Sequence, residues 1–153
     1  RFTPQGAEQP NFIMNRDPYR RSGIIVAERN FGCGSSRENA VWALHGWGAR
    51  AVIAPSFGDI FAINSVKNGV LPVILPAEAV SALMAASIAE PEAEIAIDLP
   101  EQTVTGPDGT VYRFEIDPFA KRSLLEGLDE LAFTMTHEED IAAFERRFGR
   151  DNF

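Results

Sequence analysis

Three short runs rich in branched apolar residues, GIIVAERN (23–30), RAVIAP (50–55) and VLPVIL (70–75), are each followed by a segment with helical spacing. This alternation restricts the fold more than any other feature of the sequence. A strand written as a continuous apolar run has to be covered on both faces, and strands separated by helices are joined in parallel. An α/β layer structure is therefore predicted. Ile24, Ile25 and Val26 make the first run a buried strand, whereas Pro72, which cannot donate to a ladder, makes the third an edge or irregular strand. Between the strands, Ala40, Val41, Ala43, Leu44 and Trp47 share one helical face, with Gly46 and Gly48 placed to end the helix. Phe57, Ile60, Phe61, Ile63 and Asn64 suggest a second short helix stopped at Asn68-Gly69. The alanine-rich PAEAVSALMAASIA (76–89), with proline at its start, predicts a third.

The pattern then changes. EIAIDL (94–99) and VYRFEID (111–117) flank the turn GPDG (106–109), which predicts a hairpin or a small antiparallel sheet. PFAKRSLLEG (118–127) is a proline-started, glycine-ended helix, and HEEDIAAFERRF (137–148) an amphipathic one with acids first and bases last. Residues 1–22 are polar and punctuated by proline, with PNFIMN (10–15) as a strand candidate. No repeat or linker divides the 153 residues, a length that suits one domain with a real core, and residues 1–153 are read as a single domain.

Composition excludes several function classes. A net charge of -8 repels a phosphate backbone, so nucleic acid is not expected as a partner. No apolar run approaches the ~20 residues of a membrane span and no signal-peptide core is present, so no membrane partner is expected either. Cys33 is the only cysteine, which rules out an intrachain disulfide and fits a reducing cytoplasm. One thiolate also cannot hold an iron–sulfur cluster, so no metal site is expected on this chain.

The chemistry-bearing stretch is FGCGSSREN (31–39), between the first strand and the first helix. Four readings compete for it. Ser35 and Glu38 match a capping box, in which the serine caps the helix and the glutamate closes back on it. A phosphate loop fits poorly, because the P-loop lysine is missing and Arg37 stands where G-x-G-x-x-G requires glycine. Cys33 could be a nucleophile with His45 or His137 as base, although a cysteine between two glycines reads as a small packing residue. Finally, Arg37 offers a planar fork for a carboxylate and Ser36 a further donor, while Ser35 could remove a proton if loop N–H groups and the helix end stabilised its alkoxide. That last arrangement suits a dicarboxylic acid, and the cap and the anion site share one geometry.

FGCGSSREN followed by AVWAL, then VIAPSFGDIFAINSVKNGVLPV (52–73) and FEIDPFAKRSLLEGLDELAFTMTHEEDIAAFE (114–145), resembles the small subunit of 3-isopropylmalate dehydratase, with the swivelling domain of the aconitase superfamily. The resemblance implies a three-layer β/β/α fold carrying a C-terminal hairpin and helices. It implies a large subunit bearing a four-iron, four-sulfur cluster, an active site between the two chains, and no cofactor on this one. It implies isomerisation of 2-isopropylmalate to 3-isopropylmalate, in leucine biosynthesis, by dehydration and rehydration, with activity only in the presence of the large subunit. On this likeness Ser35 is the base that removes the carbon-bound proton, Ser36 and Arg37 bind substrate carboxylate, and the cluster iron acts as Lewis acid on the leaving hydroxyl.

Asn39 and Val41 stand where the family has histidine and proline. Family members also begin with a further strand and helical stretch whose loop reads the substrate side chain, so a chain starting beyond them is expected to show an open sheet edge. Two other functions are carried alongside: a related diacid hydratase of the citraconate, methylmalate or homoaconitate type, and a non-catalytic anion-binding assembly module.

Overall fold

The computed structural model describes residues 1–34, 37–127, 134–135 and 137–148. Its centre is a parallel sheet in the order β1 (Ile24–Val26), β2 (Ala51–Ala54), β3 (Leu71–Ile74), with Ile25 opposite Val52 and Val52 opposite Pro72. Helices α1 (Asn39–Trp47), α2 (Asp59–Lys67) and α3 (Ala77–Ala89) follow the three strands in turn. The βαβαβα alternation read from the sequence is thus the architecture observed.

Period-2 alternation on β2 sends its side chains to two separate cores. Val52, with Val70, meets Val41 of α1 and Phe61 of α2. On the other face, Ala51, Ile53, Leu71 and Val73 meet Ala79, Val80 and Leu83 of α3, together with Val104 and Phe114. The last two belong to a second, antiparallel sheet and the residue that follows it. That sheet runs β4 (Ala96–Asp98), β5 (Thr103–Thr105), β6 (Val111–Arg113). Helices α1 and α2, the parallel sheet, and α3 with the second sheet therefore form three layers. After β6 come α4 (Pro118–Glu126) and α5 (Glu138–Phe148). Asp117 caps α4 by accepting from Ala120 N–H at 3.0 Å, and Gly127 ends it in the left-handed region.

Several expectations are corrected. PNFIMN is no strand: Ile13–Asn15 is a 3₁₀ turn, because Gln9 and Phe12 carbonyls take the N–H groups of Phe12 and Asn15. The first strand is half-buried rather than buried, since among the described residues β1 has a neighbour on one side only. Arg50 N–H donates to Gly23 O and Ala27 N–H to Ile53 O, so Ile24 and Val26 turn their backbone groups to the open edge. Pro72 does lie on an edge strand. The small antiparallel sheet expected around GPDG is present, with Thr103–Thr105 as an additional strand between EIAIDL and VYRFEID and GPDG joining β5 to β6. The second helix stops at Asn68 as expected, with Gly69 at φ 71°.

The loop after β1 is pressed against the loop after β2. Phe31 N–H donates to Ser56 O at 3.1 Å, and Gly58 N–H returns a bond to Phe31 O at 2.9 Å. Asn30, at φ 63°, is held by Ser56: its N–H donates to Ser56 Oγ at 2.8 Å, and Ser56 Oγ donates to Asn30 Oδ1 at 3.2 Å. Phe31 and Phe61 meet edge to face at 5.2 Å beneath the loop. Gly32 is demanded twice over, by φ 79° and because a Cβ there would fall 2.2 Å from Phe61 Cγ. Gly32→Ala should destabilise the chain by about 2–4 kcal/mol in urea unfolding, from backbone strain and overpacking together. Gly34→Ala, where a Cβ meets nothing within 4 Å, should stay within about 0.5 kcal/mol of wild type.

Candidate functional site

The stretch 31–39 runs from β1, through the loop anchored by Asn30 and Phe31, to the N-terminus of α1. Ser35 and Ser36 lie outside the described residues. Arg37 is described and exposed, immediately ahead of the helix start. Its carbonyl accepts from Ala40 N–H at 3.2 Å, so its backbone already belongs to the first turn. A guanidinium at this end adds to the positive end of the helix dipole, which is the setting an anion favours.

The capping box read between Ser35 and Glu38 involves Ser35 and so lies outside the described residues. Glu38 occupies the N-cap position, with α1 beginning at Asn39, and its carbonyl accepts from Val41 and Trp42 N–H at 2.9 and 3.1 Å. Its carboxylate accepts from Asn68 Nδ2 at 2.9 Å, across to the end of α2. Asn68 Oδ1 accepts in turn from Trp42 Nε1 at 2.9 Å. Neither Asn68 nor Trp42 was singled out by sequence patterning as part of the site. Asn68 carries an Asn-Gly helix-stop signal, but its partners stand 26 and 30 residues away and periodicity does not connect them.

Asn39 is exposed at the first position of α1, beside Arg37. Val41, by contrast, is fully buried against Val52, Phe61 and Val70, so the position where the resembled family has proline is a core position in this chain. Cys33 is exposed, not the buried packing residue its glycine neighbours suggested. What packs is its backbone, for a Cβ on Gly58 would come within 3.1 Å of Cys33 Cα. His45 sits in the last turn of α1, about 9 Å along the axis from Asn39. His137 lies ahead of α5 with Nδ1 3.4 Å from Asp140 Oδ2. Arg37, the N-terminus of α1 and its hydrogen-bonded first turn thus lie next to one another along the chain, a setting that favours an anion.

The aconitase C-terminal domain family matches residues 3–78, and the LeuD_N family matches residues 81–118. The 3-isopropylmalate dehydratase small subunit of Paramagnetospirillum magneticum is 50% identical over 145 residues, covering 95% of this chain and 72% of that protein. The protein of the same name from Roseobacter denitrificans is 51% identical over 146 residues, covering 95% and 73%. A solved 3-isopropylmalate dehydratase (leuD) structure from Methanocaldococcus jannaschii superposes with a TM-score of 0.58 at 28% identity, over 78% of this chain and 67% of that one. With half of its residues identical to such relatives along almost its whole length, the chain belongs to the 3-isopropylmalate dehydratase small-subunit family of the aconitase superfamily.

Proposed function

We propose that this chain is the small subunit of a heteromeric hydro-lyase of leucine biosynthesis that interconverts 2-isopropylmalate and 3-isopropylmalate through an alkene diacid. The observation that carries the reading is Arg37 at the clamped N-terminus of α1, in a chain about half identical to proteins named for that reaction. Elimination of water needs a proton taken from the carbon next to the hydroxyl-bearing one, and the diacid held so that this proton faces the base.

Arg37 and Ser36 hold a substrate carboxylate: the guanidinium gives two parallel N–H donors and the serine hydroxyl a third. Ser35 is the base. A hydroxyl is a weak acid in water, so its alkoxide depends on donors fixed before the reaction, and the α1 terminus supports that role. On rehydration Ser35 returns the proton to the other alkene carbon, and hydroxide adds where the proton was first removed. Net atoms are conserved and the hydroxyl has moved by one carbon.

The chain's donor set does not fit an iron–sulfur cluster, because Cys33 is its only cysteine. Among the described residues, moreover, no three His, Cys, Asp or Glu side chains are grouped to hold a metal ion. In this reading the cluster belongs to the large subunit, and the chain is active only with it. A cytoplasmic location is supported by the single cysteine, and a net charge of -8 argues against nucleic acid as a partner. Among the described residues no helix is long and apolar enough to cross a membrane.

Mixing the chain with a cluster-loaded large subunit should give turnover of 2-isopropylmalate, read by absorbance of the alkene diacid, while neither chain alone does so. Turnover of citraconate or a methylated malate with none of 2-isopropylmalate would overturn the substrate assignment. Ser35→Ala should lower kcat by about 10²–10⁴ without disturbing co-elution of the subunits. An alanine variant with wild-type kcat would remove Ser35 from the mechanism. Arg37→Ala should raise KM about 10- to 100-fold, the worth of a charge-assisted bidentate contact.

A further inference from the structure

We propose that Asn68 is a positioning residue for the carboxylate-binding end of α1, acting through Glu38 on Arg37; the inference rests on the reading of Arg37 as a substrate ligand. One carboxamide makes three bonds at once. Its Nδ2 donates to Glu38 Oε1 at 2.9 Å and to Asn64 O at 2.8 Å, and its Oδ1 accepts from Trp42 Nε1 at 2.9 Å. Both donors and the acceptor are therefore in use. Glu38 and Trp42 are four residues apart and share one face of the helix start, so a single side chain pins the N-cap and the next turn together.

The anchor is itself rigid. Asn68 ends α2, its N–H donating to Asn64 and Ser65 carbonyls, and Val70 two residues on is fully buried with its N–H on Ser65 O at 2.8 Å. Ser65 is fully buried too, its hydroxyl on Phe61 O at 2.8 Å, and Phe61 is the ring that packs beneath Gly32. The floor of the glycine loop and the clamp on α1 thus descend from the same helix. Arg37 is one peptide bond from clamped Glu38, so the clamp holds the backbone from which its side chain departs. Aspartate would lose both donors and face Glu38 with a like charge; glutamine is one methylene too long.

The test uses the assembled complex of this chain with its large subunit and 2-isopropylmalate as probe. Asn68→Ala should raise KM about tenfold with kcat within about threefold, as expected when a charge-assisted bond that orients a binding group is lost. In an Arg37→Ala background the same substitution should change KM less than about twofold, because the two act in series. Asn68→Asp should be at least as damaging as alanine, and adding Glu38→Gln, which exchanges donor and acceptor across that one contact, should recover part of the lost KM, the bond to Asn64 O staying broken. A readout independent of turnover is Trp42 emission in a Trp47→Phe chain, which should shift when Asn68→Ala releases the indole N–H. Multiplicative effects of Asn68→Ala and Arg37→Ala, or no KM change in the first while the second is crippled, would overturn the inference and leave Arg37 in place. A wild-type KM in Arg37→Ala alone would overturn the reading beneath it.

Discussion

Strand β2 is the constraint on which the molecule depends, because all four of its residues are buried and it has a parallel neighbour on each side. Ala51 and Ile53 serve the core shared with α3 and the second sheet, while Val52 serves the core shared with α1 and α2. Burying a short strand on both faces requires helices in two directions, and connections of that kind place the loops after the strands side by side. The site follows from this. Loops 31–34 and 55–58 touch because β1 and β2 are paired, and α1 starts a few residues after the first of them, at Asn39.

The two cores divide the work differently. The larger joins α3 to the antiparallel sheet through Leu83, Val104 and Phe114 and carries no candidate chemistry. The smaller, built from Val41, Val52, Phe61 and Val70 with Phe31 and Phe57 at its margin, lies directly under the glycine loop. Interiors packed to native density transmit displacement, so the smaller core couples the loop backbone to the helix that follows it.

Strand and helix order was legible because it is written in local period: branched apolar runs, proline at helix starts, glycine at Gly48 and Gly127. The turn GPDG was legible for the same reason, through Asp108, which accepts from both the backbone and the hydroxyl of Thr110. What escaped was anything that depends on a partner distant in sequence. β5 is three residues long and its TVT carries only one buried side chain, too little signal to mark a strand. PNFIMN has strand-like residues, yet local hydrogen bonds and the Asn15 side chain, donating to Arg1 and Gln9 carbonyls, close it into a turn. At the site, local pattern offered Glu38 a role in a capping box but gave no sign of its contact with Asn68, which spans 30 residues. Cys33 looked buried for a similar reason: glycines on each side do signal close packing, but of backbone.

Asn68 precedes Gly69, and an asparagine in that position is chemically short-lived in open chain, since the unhindered glycine nitrogen can attack the side-chain amide, expel ammonia and leave an acidic residue. Both participants are occupied in the fold. The carboxamide is tied to Glu38, Asn64 and Trp42, and Gly69 N–H donates to Val66 O at 3.1 Å. The clamp therefore also governs how the protein ages: while it is closed the amide is protected, and a single loss of ammonia would set one carboxylate against another at the helix start, so chemical lifetime and ligand geometry are guarded by the same three hydrogen bonds.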